Sequence, residues 1–230
     1  MLSVSVTVKC DYCCYDHSIM RSEQPGLREI TRQAVRTQIT ETANALFVER
    51  GYERTTIDDI AAAVGMSQRS VFRYFPSKED IVVGKFDLVA DGMLGILAAR
   101  PIDEPVWLSL RRCFDLLVPY VDAPGKRDVA EPMQRIVFDT PHLLARYLEK
   151  LQRMQDAVVT ALRERADERG EAYSVDDPTP RAIAAAAFGC LVAAQHSWLA
   201  DDGRGSFATA IDRAMAAVGP YASSPAASAV

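Results

Sequence analysis

An all-α fold is predicted for this 230-residue chain, with about nine helices and a helix-turn-helix placed ahead of a larger helical body. Three features predict it. Between residues 28 and 218 apolar side chains recur at helical spacing, and no run alternates convincingly as a strand would. Helix starts are marked repeatedly, by Thr56 with Asp59, by Ser77 with Asp80, and by Pro141 and Pro180 in first turns. Residues 64–75, VGMSQRSVFRYF, join a glycine turn to a short segment that sets Arg69, Ser70, Arg73 and Tyr74 beside Val71, Phe72 and Phe75.

Residues 1–27 lack a helical period and close on the turn signal Pro25-Gly26, so they are expected to form a mobile extension, with Met20 as an alternative start. Cys10, Cys13, Cys14 and His17 in this stretch have side chains suited to zinc, although structural zinc sites usually clamp two separated segments. The first helix carries Val35, Ile39, Ala43, Leu46 and Phe47 on one stripe and ends at Gly51. Thr56 caps the second, whose inner face is Ile57, Ile60, Ala61 and Val64. Gly65 supplies the turn and Ser67 caps the third, while Ser77 starts a fourth that runs to about Arg100. Gly84, Gly92 and Gly95 lie within that fourth helix; each costs about 1 kcal/mol against alanine in a helix interior, which suggests a bend or a close approach.

Further helices follow. One has the stripe Trp107, Leu110, Phe114 and Leu117, and another Val129, Met133, Ile136 and Val137. A long helix opened by Pro141 is expected to bury Leu144, Leu148, Leu151, Val158 and Leu162. An alanine-rich helix from Pro180 to about Ala200 and a last one from Ser206 to Val218 complete the body, before a frayed tail at 219–230. No repeat of fixed period points to a solenoid.

Composition narrows the function. Hydrophobic residues make up 49% of the chain and charged residues 25%, as in an ordinary globular protein. The longest nearly apolar run, Ala182 to Ala194, is shorter than the 18 or so residues of a membrane span, and no signal peptide is expected, because the first residues alternate apolar with Ser and Thr and no basic start precedes an apolar block. No membrane partner is expected, the location is expected to be cytoplasmic, and the five cysteines are expected to be thiols. The net charge of −5 is uneven: residues 28–85 carry +1 and the rest −6. There is no nucleophile elbow, phosphate loop or His-Glu-x-x-His, and His17, His142 and His196 are widely separated, so an enzyme is not expected and no cofactor is implied.

On a helical wheel Val71, Phe72 and Phe75 share one side and are expected to pack inward, leaving Arg69, Ser70, Arg73 and Tyr74 outward. A solvated helix face would need no partner. Two helices joined by a glycine turn, the second cationic on its free face, also have the form of a helix that enters a DNA major groove, about 12 Å wide.

Residues 51–81 resemble the DNA-binding signature of TetR-family transcriptional regulators. The matching elements are Gly51-Tyr52, Thr55-Thr56, Ile60-Ala61, Gly65-Met66-Ser67, Phe72-Arg73-Tyr74-Phe75 and Ser77-Lys78-Glu79. The resemblance implies that Thr56 and Lys78 hold phosphates, that Gln68, Arg69, Ser70 and Arg73 meet base edges or phosphates, and that Tyr74 braces the DNA backbone. Where the family commonly has Tyr, this chain has Phe72 and loses a hydroxyl; where it often has Gly, Arg69 adds a cation able to pair with guanine.

The family resemblance further implies a DNA-binding head (28–80) and a body (81–218) that senses a ligand and dimerises. The partners so implied are double-stranded DNA carrying a palindromic operator, a small-molecule effector, and a second copy of the chain. Small residues of Ala182 to Ala194, with Phe207 to Val218, are candidates for the dimer interface, with plain core packing as the alternative. Trp107, Phe114, Tyr147, Gln195, His196 and Trp198 are candidates to line an apolar pocket with a few polar groups. Cys113 and Cys190 are expected to behave as small buried hydrophobes. Repression is the expected mode. A metal- or redox-sensing regulator using the N-terminal cysteines and histidine is the competing reading, and an all-α enzyme a more distant one.

Overall fold

The structure, a computed structural model, describes residues 26–123 and 125–219. Cys10, Cys13, Cys14, His17 and both expected tails beyond these limits lie outside the described residues. Two compact units divide the chain, Met1–Thr37 and Gln38–Val230. Eleven α-helices and one 3₁₀ turn, and no strand, occur among the described residues.

The first unit contains the opening turns of α1 (Leu27–Arg50). There the Thr31 hydroxyl donates to the Leu27 carbonyl at 2.8 Å, and Leu27 and Ile30 are exposed.

In the second unit, Ile39, Ala43, Leu46 and Phe47 of α1 are buried. Ile60 and Ala61 of α2 (Ile57–Ala63), Val71 of α3 (Gln68–Phe72), Phe75, and Ile81 of α4 (Lys78–Val83) are buried as well, and α2 packs against α3. Buried Thr55 ties the turn after α1 in place by donating to the Gly51 carbonyl at 2.9 Å. The expected fourth helix is two segments, α4 and α5 (Lys85–Ala99), meeting at Gly84. Gly84 keeps right-handed helical angles (φ −65°, ψ −22°), so the break interrupts the helix without reversing the chain.

The expected helix around Trp107 is likewise divided into α6 (Val106–Cys113), a 3₁₀ turn (Phe114–Leu116) and α7 (Val118–Asp122). Pro119 in the first turn of α7 cannot donate to a preceding carbonyl, which favours a fresh start there. After α8 (Arg127–Asp139) comes α9 (Pro141–Glu168), which packs against α4, α5, α8 and α10 (Thr179–Ala200), while α11 (Phe207–Val218) lies along α10. The buried stripe of α9 is Leu143, Tyr147, Leu151, Met154, Val158 and Leu162. Leu151, Val158 and Leu162 are buried as expected, but Leu148 is exposed and Leu144 half-buried, so in its first turns the stripe runs through Leu143 and Tyr147, one residue earlier. Val129 and Val218 are also exposed rather than part of their stripes, both lying within a turn of a helix end.

Arg165 of α9 closes the end of α5. Its guanidinium donates to the carbonyls of Leu97, Arg100 and Pro101 at 3.0, 3.1 and 2.7 Å, satisfying groups that a helix C-terminus leaves open. α10 exceeds the apolar length expected of it, its 22 residues being long and apolar enough to cross a membrane. Half of its apolar stretch is buried inside the protein against its neighbours, the placement of a core helix.

Candidate nucleic-acid interface and body cavity

The helix-turn-helix is built by local capping. Thr56 and Asp59 form a reciprocal capping box, with Asp59 N–H donating to Thr56 Oγ1 at 3.1 Å and Thr56 N–H donating to Asp59 Oδ2 at 2.8 Å. The Thr56 hydroxyl also donates to Asp59 Oδ2 at 2.6 Å, and these bonds hold the Asp59 carboxyl below its usual range. At the turn Gly65 adopts φ +71°, a left-handed angle that a side chain disfavours, while Met66 N–H closes back onto the Ala61 carbonyl at 2.9 Å. Ser67 then caps α3, accepting from Ser70 N–H at 3.2 Å.

Val71 and Phe75 are buried, which anchors α3 by two residues one turn apart. Gln68, Arg69 and Arg73 are exposed, while Ser70 and Tyr74 are half-buried. Ser70 Oγ lies 2.8 Å from Ser67 Oγ. Among the described residues neither Arg69 nor Arg73 has an ion-pair partner. The expectation for Phe72 is corrected: it is 43% exposed and lies on the outer side. With only Val71 and Phe75 setting the inner face, position 72 falls on its flank, one turn beyond exposed Gln68.

Lys78 faces into the head. Its ammonium donates to the carbonyls of Tyr52 at 2.9 Å and Thr55 at 3.1 Å and sits 4.0 Å from the centre of the Tyr52 ring. The Tyr52 hydroxyl donates to Glu79 Oε1 at 3.0 Å. Burial, with the Glu79 carboxylate beside it, pushes the Tyr52 phenol well above its usual range. Burial alone would raise the Glu79 carboxyl, but a backbone N–H, the Tyr52 and Ser77 hydroxyls and nearby His142 together hold it below normal. Two polar contacts connect α4 to α9: an ion pair of Asp80 with Arg146 at 3.3 Å, and the approach of Glu79 to His142 Nε2 at 3.9 Å. Their spacing of 63 and 66 residues hid them from local sequence patterns.

In the body a cavity of about 40 Å³ lies among α5, α7, α8, α10 and the start of α11. Phe86, Val89, Val121 and Phe207 make its apolar walls, and Gln134 and Gln195 bring polar atoms to it. Gln134 Nε2 is buried with no hydrogen-bond partner among the described residues. Of the six expected pocket residues, Gln195 and Trp198 line this cavity. Tyr147 stands behind it, its hydroxyl donating to Gln195 Oε1 at 2.6 Å. The other three are elsewhere. Trp107 donates its indole N–H to the Met215 carbonyl at 3.3 Å, Phe114 packs edge-on against Phe188 in the core, and exposed His196 meets the Phe138 ring. Gln134 was missed because one amide on an amphipathic helix carries no sequence signal of its own. Both described cysteines, Cys113 and Cys190, are buried and free, and burial pushes the Cys113 thiol up to about 12.

Residues 39–83 match the family model described as "Bacterial regulatory proteins, tetR family", and residues 107–222 match the one described as "MftR C-terminal domain". The chain is 31% identical over 206 residues to the HTH-type transcriptional regulator TcmR of Streptomyces glaucescens, a match covering 85% of this chain and 88% of that protein. It is 28% identical over 160 residues to the nucleoid occlusion factor SlmA of Haemophilus influenzae, covering 67% and 72%. Among solved structures, the regulator FadR from Bacillus subtilis, in complex with stearoyl-CoA, shares the fold with a TM-score of 0.55 at 18% identity, covering 78% of this chain and 95% of that one. The capped helix-turn-helix, the all-helical body and these matches across both together place the chain in the TetR family of DNA-binding transcriptional regulators.

Proposed function

We propose that two copies of this chain bind a palindromic operator through their α3 helices, repress transcription in the cytoplasm, and are released by a small apolar or amphipathic effector. The observation that carries the reading is the free cationic face of α3, where Gln68, Arg69 and Arg73 are exposed while Val71 and Phe75 anchor the helix. Arg69 and Gln68 are proposed to read bases, and Arg73, Ser70 and Tyr74 to hold or brace the backbone. Thr56 reaches phosphate by exchanging Asp59 as the acceptor of its proton. Lys78 has three N–H donors, of which two hold the Tyr52 and Thr55 carbonyls, leaving the third for a phosphate.

Residues 28–80 supply DNA binding in this reading, and residues 81–218 supply effector binding and dimerisation. Exposed Ala182, Ala185, Gly189 and Ala193 form a stripe of small residues on α10, which supports close packing against a second copy. The cavity with its unpaired Gln134 amide supports an effector that is mostly apolar and carries one hydrogen-bond acceptor. At about 40 Å³ the cavity is far below the roughly 300–1,000 Å³ of ordinary ligand pockets, so the effector must displace its walls.

Titrating the purified protein with randomised duplexes, and then with a selected duplex at several salt concentrations, tests the reading. A dimer that neutralises about six phosphates is expected to give a slope of log affinity against log salt of about −5. Equal affinity for every sequence, or a slope near zero, overturns operator binding.

A further inference from the structure

Phe72 is a large apolar side chain left 43% exposed on the outer side of α3. It follows Gln68 by one turn and Arg69 by three residues, and Gln68, Arg69 and the next residue, Arg73, are all exposed. Its ring has no aromatic or cationic partner among the described residues. As phenylalanine it has no hydroxyl with which to bond a phosphate or a base edge. The major groove presents one apolar group to a protein, the thymine 5-methyl, and Phe is among the side chains that pack against it.

We propose that Phe72 reads a thymine 5-methyl in each half-site, next to the base contacted by Arg69 or Gln68. The exposed guanidiniums of Arg69 and Arg73 match the negative potential of the groove, and the ring excludes water from the methyl while they hold the backbone or base edges. This assignment rests on α3 being the base-reading helix. It adds an apolar specificity contact to a face whose polar residues read only through hydrogen bonds.

The experiment uses the full chain and a duplex selected by it from a randomised library, remade with deoxyuridine in place of thymidine one symmetric pair at a time. Uracil lacks the methyl and leaves the Watson–Crick pair intact. Losing one buried methyl per half-site is expected to weaken binding about fourfold, and on the order of tenfold for the symmetric pair. Phe72→Ala is expected to bind the thymine duplex more weakly by a similar factor and to lose all discrimination between thymine and uracil at that pair. Phe72→Leu, which keeps an apolar contact, is expected to retain part of it.

If selection yields no preferred sequence, the base-reading role of α3 falls and this proposal with it. If a preferred sequence emerges but the natural protein is indifferent to uracil at every pair, only the Phe72 assignment falls. It falls equally if Phe72→Ala keeps full thymine discrimination, or if that variant changes the oligomeric state alone, which would assign the ring to a protein contact.

Discussion

Arg69 and Lys78 carry the same charge in the same head, but their surroundings differ. Arg69 is exposed and has no ion-pair partner among the described residues, whereas the Lys78 ammonium is held by two carbonyls and a ring. Arg69→Ala is therefore expected to leave the melting temperature unchanged and to weaken operator binding by about 2–6 kcal/mol if both half-sites use it. It should also relax the preference at one symmetric pair of positions. Lys78→Ala is expected to weaken specific and random duplexes alike and, unlike Arg69→Ala, to lower stability by about 1–3 kcal/mol. Melting curves and parallel titrations with selected and random duplexes separate the two. An Arg69→Ala protein with an unchanged specific-to-random ratio would show that this residue grips phosphate or solvent. The caps at Thr56, Ser67 and Ser77 were readable in the sequence because a cap and its partner lie within one turn. Phe72 was misread because a helix of five residues presents too few positions for its inner face to be averaged. Gln195 and Trp198 were found at the cavity and Trp107, Phe114 and His196 were not, since aromatic content marks a core without saying which part of it stays open.

α5 shows how far composition alone can distinguish glycines. Gly92 and Gly95 look alike in the sequence, yet a Cβ at Gly92 would meet Leu116 Cδ1 at 2.9 Å, whereas one at Gly95 would meet nothing within 4 Å. Gly92 therefore marks the close approach of α5 to the 3₁₀ turn, and Gly95 has no such use. Gly95→Ala is expected to raise stability by about 0.5–1 kcal/mol, the intrinsic helix preference of alanine. Gly92→Ala should gain less, because the tip of Leu116 must move aside, and Leu117 beside it lines the cavity. Urea denaturation of both variants checks the order. A Gly92→Ala protein as stabilised as Gly95→Ala would mean that Leu116 yields freely. The correction to the first turns of α9 has a related origin: Leu144 with Leu148 and Leu143 with Tyr147 both satisfy a helical spacing, and only the packing against α5 and α8 selects the second.

The second unit joins the cavity to the DNA-binding head through two helices. α5 supplies Phe86 and Val89 to the cavity wall and follows α4 directly at Gly84, while α4 is tied to α9 by Asp80–Arg146 and Glu79–His142. A body that enlarges its cavity must move one wall, and α5 is the wall covalently continuous with the head. An effector that lowers operator affinity 100-fold requires about 2.7 kcal/mol of coupling between the two sites. Partial filling from within should draw on the same coupling without any effector. Ala130 lines the cavity from α8, and Ala130→Leu puts an isobutyl group where a methyl stood, an overpacking that typically costs about 1–3 kcal/mol. If that strain is relieved by displacing α5, operator affinity should fall by about tenfold in the absence of effector, corresponding to about 1.4 kcal/mol of the strain reaching the head. The variant should also respond less to any effector that releases the natural protein, because the space is already occupied. Operator titration and thermal melting of the same preparation decide the matter: a lower melting temperature with unchanged operator affinity confines the strain to the body and removes α5 as the link.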